Sequence, residues 1–411
     1  MNNSVKPIKF QKGKLVIQNN KLAVMQILLS LLTFFTLITP RDTLGLKKIF
    51  LAISLLYGID PIFKGLKKNK PILVFTVVLP FLMYIVSSIT TGSITSAFNY
   101  LYAFVYVLLI FPIIEWDIDI KKIAIIVGNI MVFLIIFSCF IDFIGLLSIY
   151  TNPLLHWLNS NGEAKISKSP YAMFRYVLFF NASPILFFNL THYIKNNKKI
   201  CISFTFIALL LTGTRANIYL GVVLLVFGIL FISNKSYVKI FFAMLLLVIT
   251  VFMGRYLFER YNILAIAKET GDLSRLGGLD SIIKVLNSNK QYWITGMGFG
   301  SEYYNSGKKN YVVTSELSYL EFIREIGLPL SIAVFGFIFA PLIKLLKNDR
   351  FIFISYGAYL LAGVFEPFIF TSTGFFIIMM IYAYVYQLQK ISVDDSMLDI
   401  QENFVDAKIY S

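Results

Sequence analysis

The sequence predicts an all-α polytopic membrane protein with about twelve transmembrane helices and one large loop outside the cytoplasm. Three observations predict this class. The 411 residues are 57% hydrophobic and only 14% charged, a balance that a water-soluble core of this length does not need. Apolar stretches long enough to cross a bilayer recur along the whole chain. Lysines and arginines fall mainly in the short connections between those stretches, as the loops of membrane proteins require.

Twelve apolar stretches approach the roughly 20 residues that a membrane-spanning helix needs. In the first half they lie near residues 22–39, 49–63, 71–90, 95–114, 122–148 and 170–193. In the second half they lie near residues 199–212, 216–233, 236–256, 316–345, 350–370 and 372–388. Some are short, notably 49–63 and the two that flank Gly213, so roughly eleven to thirteen spans fit the pattern.

The basic residues orient the predicted bundle, because short cytoplasmic loops carry an excess of Lys and Arg. With the N-terminus inside, clusters at residues 64–70, 121–122, 195–199, 235–239 and 344–350 all fall on cytoplasmic connections. The first outer loop, with Arg41, Lys47 and Lys48, is an exception. The predicted order is a cytoplasmic tail (1–21), helices 1–9 (22–256), an outer loop (257–315), helices 10–12 (316–388) and a cytoplasmic tail (389–411).

Composition excludes several functional classes. The formal net charge of +15 would suggest nucleic acid in a soluble protein, but its placement between apolar runs indicates topology control, so no nucleic-acid partner is expected. Cys139 and Cys201 lie inside apolar runs and predict no disulfide framework. His156 and His192 are too few and too far apart for a zinc site, and neither metal nor cofactor is expected. The polar start lacks a small-residue cleavage site, so we expect the first span to be retained.

Three connections on the predicted outer face are long or rich in polar residues: residues 149–169, the corner Gly213-Thr214-Arg215, and the outer loop. Arg215 lies between two short apolar halves, at a depth where a guanidinium is costly unless it is paired or hydrated. Its planar set of donors suits phosphate oxygens. The alternative is an interfacial Arg215 that snorkels at a helix turn.

The outer loop is basic, since residues 254–315 hold eight Lys or Arg against five Asp or Glu where the positive-inside rule predicts depletion. Its basic candidates are Arg255, Arg260 and Arg275. The apolar spacing over residues 279–286 predicts an amphipathic helix on the membrane surface. A merely solvated loop is the alternative.

A Gly296-Met-Gly298-Phe-Gly300 run follows in the same loop. It does not open a helix within a βαβ unit, so it does not predict a dinucleotide site. Glycines at this spacing instead indicate a turn that allows a close approach of the backbone.

The tenth predicted span begins with several charged residues. Glu321 and Arg324 can pair at i and i+3, so these two and Glu325 are expected to be structural. Glu316 stands at the outer mouth, where it could deprotonate an acceptor hydroxyl or cap the helix N-terminus.

Four further charged residues lie near or within predicted spans. Arg175, one turn into the sixth span, is another candidate on the outer face. For the acids Asp60, Asp142 and Glu366 we expect structural or rim positions.

The order of these signals resembles the O-antigen ligase and polymerase superfamily, multi-spanning GT-C-like enzymes of bacterial envelope polysaccharide assembly. The matching pieces are Leu211-Thr-Gly-Thr-Arg215, Ser274-Arg275 ahead of the amphipathic stretch, the Gly296-x-Gly298-x-Gly300 run, and a polar residue eleven positions before Gly327. The resemblance covers roughly residues 200–345. Ligases of this superfamily typically carry a histidine where this chain has Glu316, and no histidine follows His192. The resemblance is therefore closest to a repeat-unit polymerase.

The resemblance implies a polymerase that joins undecaprenyl-diphosphate-linked oligosaccharide repeats into O-antigen, capsule or related surface polysaccharide. The reaction would occur at the outer face of a bacterial cytoplasmic membrane, without a metal. Arg215 and Arg275 would stabilise the departing diphosphate, and Glu316 would activate the acceptor hydroxyl. The residues implied to bind the lipid diphosphate or glycan are Arg175, Arg255, Arg260 and Gly298. Membrane lipid, a chain-length regulator and a flippase are the other expected partners.

Two other functions remain open. An O-antigen ligase would move finished glycan to a different acceptor. A flippase or transporter for lipid-linked oligosaccharide would also have about twelve spans. Against the transporter, the two halves show no convincing repeat, and its charges should cluster at the midplane rather than at one face.

Overall fold

The structure is a computed structural model of the chain, and it describes residues 9–90, 92–148, 151–168, 176–232 and 275–409. The ninth predicted span (236–256) and the first part of the predicted outer loop lie outside the described residues. The same is true of three predicted substrate-binding residues, Arg175, Arg255 and Arg260.

Helices make up most of the described chain. In order they are α1 (Lys9–Ile38), α2 (Leu46–Tyr57), α3 (Ile59–Lys68), α4 (Lys70–Leu73), α5 (Leu79–Ile89), α6 (Ile94–Leu101), α7 (Ile110–Glu115), α8 (Ile120–Phe143), α9 (Pro153–Ser160), α10 (Leu186–Lys195), α11 (Lys199–Leu211), α12 (Arg215–Ile232), α13 (275–288), α14 (Gln291–Thr295), α15 (Ser318–Ile326), α16 (Leu328–Asn348), α17 (Arg350–Phe365) and α18 (Ser372–Ile409). A π-helical stretch, Val74–Val78, joins α4 to α5, and a 3₁₀ stretch, Tyr102–Leu109, joins α6 to α7.

Five helical segments are long and apolar enough to cross a membrane: Asn20–Ile38, Lys70–Ile89, Ile94–Glu115, Ile120–Phe143 and Leu328–Asn348. The pair α2 and α3, bent by 71°, makes a sixth if it is one broken span. Three shorter apolar helices correspond to α11, α12 and α17. The described residues thus have the helices of a multi-pass membrane protein, with five or six of spanning length where the sequence predicts about twelve.

The sixth predicted span, 170–193, differs most from its prediction. Its described part begins as a β-strand, β2 (Tyr176–Phe180), which pairs antiparallel with β1 (Ala164–Lys168). A 3₁₀ turn with Pro184 in its first residues follows, and the α-helix begins only at Leu186. The β-branched and aromatic residues of β2 favour a strand. The described part of the predicted span therefore forms a hairpin strand followed by a ten-residue helix, instead of one continuous helix.

The tenth predicted span, 316–345, is two helices. The chain breaks at Gly327, whose φ of +79° lies in the left-handed region that favours glycine. The backbone of Ile294 and Thr295 leaves no room for a Cβ at this position. Only α16, beyond the break, has the length and composition of a span, so Glu321, Arg324 and Glu325 lie outside it.

The main core is the interior of the helical bundle. Phe75, Phe104 and Phe375 pack in one aromatic cluster, with Phe337 stacked on Phe75. Nearly every residue of α10 is buried, because this helix is enclosed by α8, α11, α12 and α17. Its polar Asn189 and Thr191 are fully buried and donate hydrogen bonds to backbone carbonyl oxygens. The remaining buried residues are mostly apolar, so the sequence resembles a span although the helix has ten residues.

A second, small core holds the described part of the outer loop together. Ile282 and Leu286 of α13 pack against Tyr303 of β3 (Tyr303–Asn305), which pairs with β4 (Asn310–Val312). The predicted amphipathic helix is therefore present over residues 275–288, but its buried face contacts protein rather than only a membrane surface.

Candidate functional site

A cavity of about 390 Å³ lies where six connections of the chain meet. These are the α1–α2 loop, the β1–β2 hairpin, the α11–α12 corner, the start of α13, the segment before α15, and the α17–α18 connection. The topology prediction assigns the α1–α2 loop, β1, the α11–α12 corner and the start of α13 to the outer face and Glu316 to the outer mouth of a span. It places β2 and Glu366 within predicted spans instead. The polar and charged residues that line the cavity are Arg41, Lys165, Ser167, Asn181, Thr212, Thr214, Arg275, Glu316, Glu366, Thr371 and Thr373.

Arg275 and Glu316, two of the three predicted catalytic residues, form an ion pair in this cavity. Arg275 Nε donates to Glu316 Oε2 over 2.7 Å, and the side chains are 39% and 45% exposed. Arg275 is held by α13, and Glu316 precedes α15, whose N-cap residue is Leu317 and has no side-chain cap. The helix-cap alternative for Glu316 is therefore not the arrangement seen. The carboxylate orients a guanidinium toward the cavity instead.

Glu366 is a cavity residue that the sequence analysis assigned to a structural or rim position. The residue is partly buried, and its Oε2 is shielded from water and has no hydrogen-bond partner within the described part of the chain. The backbone oxygen of Glu366 accepts hydrogen bonds from Ser318 Oγ (2.8 Å) and Phe368 N (2.9 Å). The residue lies just beyond the end of α17, outside the apolar segment Arg350–Val364, in a connection held firmly by these two contacts.

The electrostatic surroundings of Glu366 favour its neutral form. Burial, with a smaller contribution from Glu316, raises the pKa of its carboxyl to about 7 against the opposing effects of Lys165 and Arg275. Because desolvation penalises the charged form, a carboxyl in this position exchanges its proton near neutral pH. The sequence signal for such a residue was an acid inside an otherwise apolar run, Val364-Phe-Glu-Pro-Phe368, which is a functional-site hypothesis by default.

The basic exception in the first outer loop has two structural causes. Glu163, fully buried, accepts hydrogen bonds from Arg41 N (2.6 Å) and from the amide and hydroxyl of Thr43. This fixes the loop so that Arg41 lines the cavity. Lys47 is buried, and its ammonium donates to the Pro40 carbonyl oxygen. Arg41 therefore lines the cavity, and Lys47 stabilises the loop.

Arg215 is exposed at the first residue of α12. The corner contributes Thr212, Gly213 and Thr214 to the lining of the cavity. Arg215 is not among the residues that line the described cavity. The Thr214 hydroxyl is buried and has no hydrogen-bond partner among the described residues. The corner thus brings an unsatisfied hydroxyl to the cavity, with Arg215 as its next neighbour in sequence.

Gly298 is packed against the protein and does not line the cavity. Its φ is +89°, and a Cβ there would come within 2.7 Å of Gly92 Cα. The amides of Met297 and Gly298 donate to the carbonyl oxygens of Arg324 and Glu325, each over 2.8 Å. The expected glycine turn with a close backbone approach is confirmed. Gly298 is buried by this packing and has no open surface at which a substrate could bind.

The predicted structural ion pair is confirmed, and it forms the centre of a larger buried network. Arg324 is fully buried and donates to Glu321 Oε1 over 2.7 Å, with Glu325 Oε1 at 3.8 Å. It also donates to Ser301 Oγ (2.6 Å) and to the Val313 carbonyl oxygen (3.0 Å). The Arg324 guanidinium therefore links the described part of the outer loop to α15, the helix that follows Glu316 in the chain.

The chemistry available in the cavity is anion binding combined with proton transfer. It offers three cationic side chains, Arg41, Lys165 and Arg275, and two carboxyls, Glu316 and Glu366. Among the described residues, no cluster of three or more His, Cys, Asp or Glu side chains is placed to hold a metal ion. The chain matches no protein-family model and no curated protein.

Proposed function

We propose that this chain is a polymerase of lipid-linked oligosaccharide repeats, which joins undecaprenyl-diphosphate-linked units at the outer face of a bacterial cytoplasmic membrane. The observation that carries the proposal is the cavity in which Arg275 and Glu316 pair beside Lys165, Arg41 and Glu366. Its volume of about 390 Å³ falls within the range of small-molecule sites.

The reaction requires the groups that this cavity contains. As the bond between the anomeric carbon and the diphosphate breaks, negative charge accumulates on the departing diphosphate. Fixed guanidinium and ammonium groups stabilise such charge most effectively in a partly dry site. Arg275 is held in one orientation by Glu316, so little reorganisation is needed when the charge develops. Arg215, beside Thr214, is assigned to the lipid diphosphate at the rim of the cavity.

The polymerase is preferred to the other two functions for separate reasons. A ligase of the superfamily that the sequence resembles carries a histidine where this chain has Glu316, and no histidine follows His192. A transporter should carry its charges at the midplane of the membrane, whereas the topology prediction puts Arg275 and Glu316 at one face. The proposed partners are the lipid-linked repeat, membrane lipid, a chain-length regulator and a flippase.

The test is polysaccharide length in a deletion strain complemented with the wild type or with Arg215→Ala, Arg275→Ala or Glu316→Gln. The proposal expects single repeats on their normal lipid in the deletion strain and long chains with the wild type. Loss of Arg275 should lower the rate by roughly 100- to 1000-fold, the effect of removing one group that stabilises transition-state charge. Arg350→Gln, an exposed arginine at the start of α17, is the matched control and should restore long chains.

Each alternative gives a different result in the same strains, with protein levels checked in membranes. Long chains that persist in the deletion strain contradict the polymerase. Long chains that remain on the carrier lipid, without reaching their final acceptor, identify a ligase. Repeats that accumulate on the cytoplasmic side identify a flippase.

A further inference from the structure

Glu366 has the features of a functional carboxyl that the proposed mechanism does not yet use. It is partly buried, it lines the cavity, and its Oε2 has no hydrogen-bond partner among the described residues. An unsatisfied polar oxygen that is shielded from water is unfavourable. Such an atom, in a residue that lines a cavity of about 390 Å³, indicates a ligand group that can donate a hydrogen bond to the carboxylate.

Glu316 and Glu366 are not equivalent as proton acceptors. Glu316 Oε2 is occupied by Arg275 Nε at 2.7 Å, and the side chain is 45% exposed. That oxygen is therefore engaged by a guanidinium and serves to position it. Glu366 has an oxygen without a partner and a less exposed side chain, and it shares the cavity lining with Thr214, whose hydroxyl also lacks a partner in the described chain.

We propose that Glu366, rather than Glu316, takes the proton from the acceptor hydroxyl, and that Glu316 is a positioning residue for Arg275. This inference rests on the proposed function, because it names the general base of that reaction. The group that binds at Glu366 is a sugar hydroxyl, which can donate a hydrogen bond to the carboxylate.

The step balances as follows. The acceptor oxygen forms a bond to the anomeric carbon of the donor, and its proton passes to the carboxylate of Glu366. The bond from the anomeric carbon to the diphosphate oxygen breaks, and the electron pair leaves with the lipid diphosphate, which gains one negative charge. Arg275 and Lys165 face that charge from the other elements of the cavity. Release of the proton from Glu366 to water restores the base.

The charged groups around Glu366 fit this assignment. Lys165 and Arg275 lower its pKa, and burial and Glu316 raise it, with the result at about 7. A base must be ionised before it accepts a proton, so transfer should slow as pH falls through this value. A carboxyl of ordinary pKa would give no such decline near neutrality.

The experiment measures chain elongation by the purified full-length protein in nanodiscs, with lipid-linked repeats extracted from the deletion strain as both donor and acceptor. The variants are Glu366→Gln, Glu366→Asp and Glu316→Gln, and Glu302→Gln, an exposed glutamate outside the cavity, is the matched control. We expect Glu366→Gln to lower kcat by roughly 100-fold or more, with KM no higher than that of the wild type, because a neutral side chain leaves the cavity as cationic as protonated Glu366 does. We expect Glu366→Asp to retain measurable activity, and Glu302→Gln to match the wild type.

The pH profile separates a base from a structural residue. The wild type should lose activity below about pH 7, and Glu316→Gln should keep that decline at a lower overall rate. The residual activity of Glu366→Gln should have no such decline. If Glu366→Gln does not accumulate in membranes, the wild-type profile and Glu366→Asp remain as tests, because a structural residue would leave the decline unmoved in the aspartate variant.

Failure of this inference and failure of the proposed function look different. If the wild type elongates chains and Glu366→Gln does so at a similar rate, Glu366 is not the base and the polymerase stands. If Glu316→Gln abolishes the decline near pH 7 and Glu366→Gln does not, the base is Glu316. If the wild type itself joins no repeats, the proposed function is overturned, and this inference with it.

Discussion

Arg324→Met should strongly destabilise the protein, because it removes the cation from a fully buried network. Arg324 donates to Glu321, Ser301 and the Val313 carbonyl, and Glu325 lies 3.8 Å away. Methionine preserves most of the apolar stem and removes every donor. Loss of one partner from a buried ion pair costs about 3–5 kcal/mol, since the remaining charge is left uncompensated.

The triple variant Arg324→Met/Glu321→Gln/Glu325→Gln provides the control. It removes the cation and both carboxyls together, and replacement of a whole buried ionic cluster by uncharged residues of similar volume is often close to neutral for stability. We therefore expect the triple variant to recover most of the stability that the single variant loses.

The assay is the thermal unfolding midpoint in one detergent or nanodisc preparation, followed by a tryptophan or thiol-reactive probe. A loss of 3–5 kcal/mol in a chain of this size corresponds to a fall on the order of 5–10 °C. A single variant that unfolds at the wild-type midpoint would refute the reasoning. So would a triple variant no more stable than the single one, because the loss would then come from packing rather than from unpaired charge.

Three further predictions concern the elements that shape the site. Burial and Glu321 raise the pKa of Glu325, so the folded state retains a proton that the unfolded chain releases. The unfolding free energy should then fall as pH rises above the usual carboxyl range, by about 1.4 kcal/mol per pH unit, and Glu325→Gln should flatten this dependence. Gly298→Ala should lower the free energy of unfolding by about 2–4 kcal/mol, because the position has a positive φ and no room for a Cβ. Gly336→Ala in α16, where no atom lies within 4 Å of the added Cβ, should leave stability unchanged or raise it. Thermal unfolding midpoints of the two variants test both expectations. Glu163→Gln weakens three charge-assisted hydrogen bonds and should speed amide hydrogen exchange in the loop at Arg41, corresponding to about 1–3 kcal/mol of local stability.

Much of the architecture could be predicted because a membrane allows few solutions. A spanning segment must satisfy its backbone internally, so long apolar runs become helices. This reasoning correctly predicted helices over α1, α8 and α16. It could not distinguish a run that meets lipid from one enclosed by protein. α10 is buried because four helices surround it, and hydropathy alone predicts a membrane span for a mostly apolar, buried helix.

The sequence allowed those residues of the candidate site to be predicted whose charge is unexpected in a mostly apolar chain. Arg275 and Glu316 are polar residues next to apolar segments, and the structure brings them within 2.7 Å. Their pairing could not be predicted, because 41 residues separate them and no local spacing rule applies. Glu366 was assigned to the rim because burial depends on the elements that cover it, and those are distant in sequence.

The charges of the cavity impose opposite pH dependences on binding and on transfer. With Glu366 protonated, the three cations outweigh the single charge of Glu316, and an anionic diphosphate meets a net charge of about +2. As pH rises through about 7, Glu366 ionises, the net charge falls to about +1, and the lipid diphosphate should bind more weakly. The same ionisation produces the base that the proposed transfer needs. KM and kcat for elongation should therefore both rise with pH, and kcat/KM should vary less than either. If KM is constant across this range while kcat rises, the charge of Glu366 does not affect binding, so the diphosphate does not lie close to it. The diphosphate would then contact Arg41, the cavity cation that does not act on the pKa of Glu366.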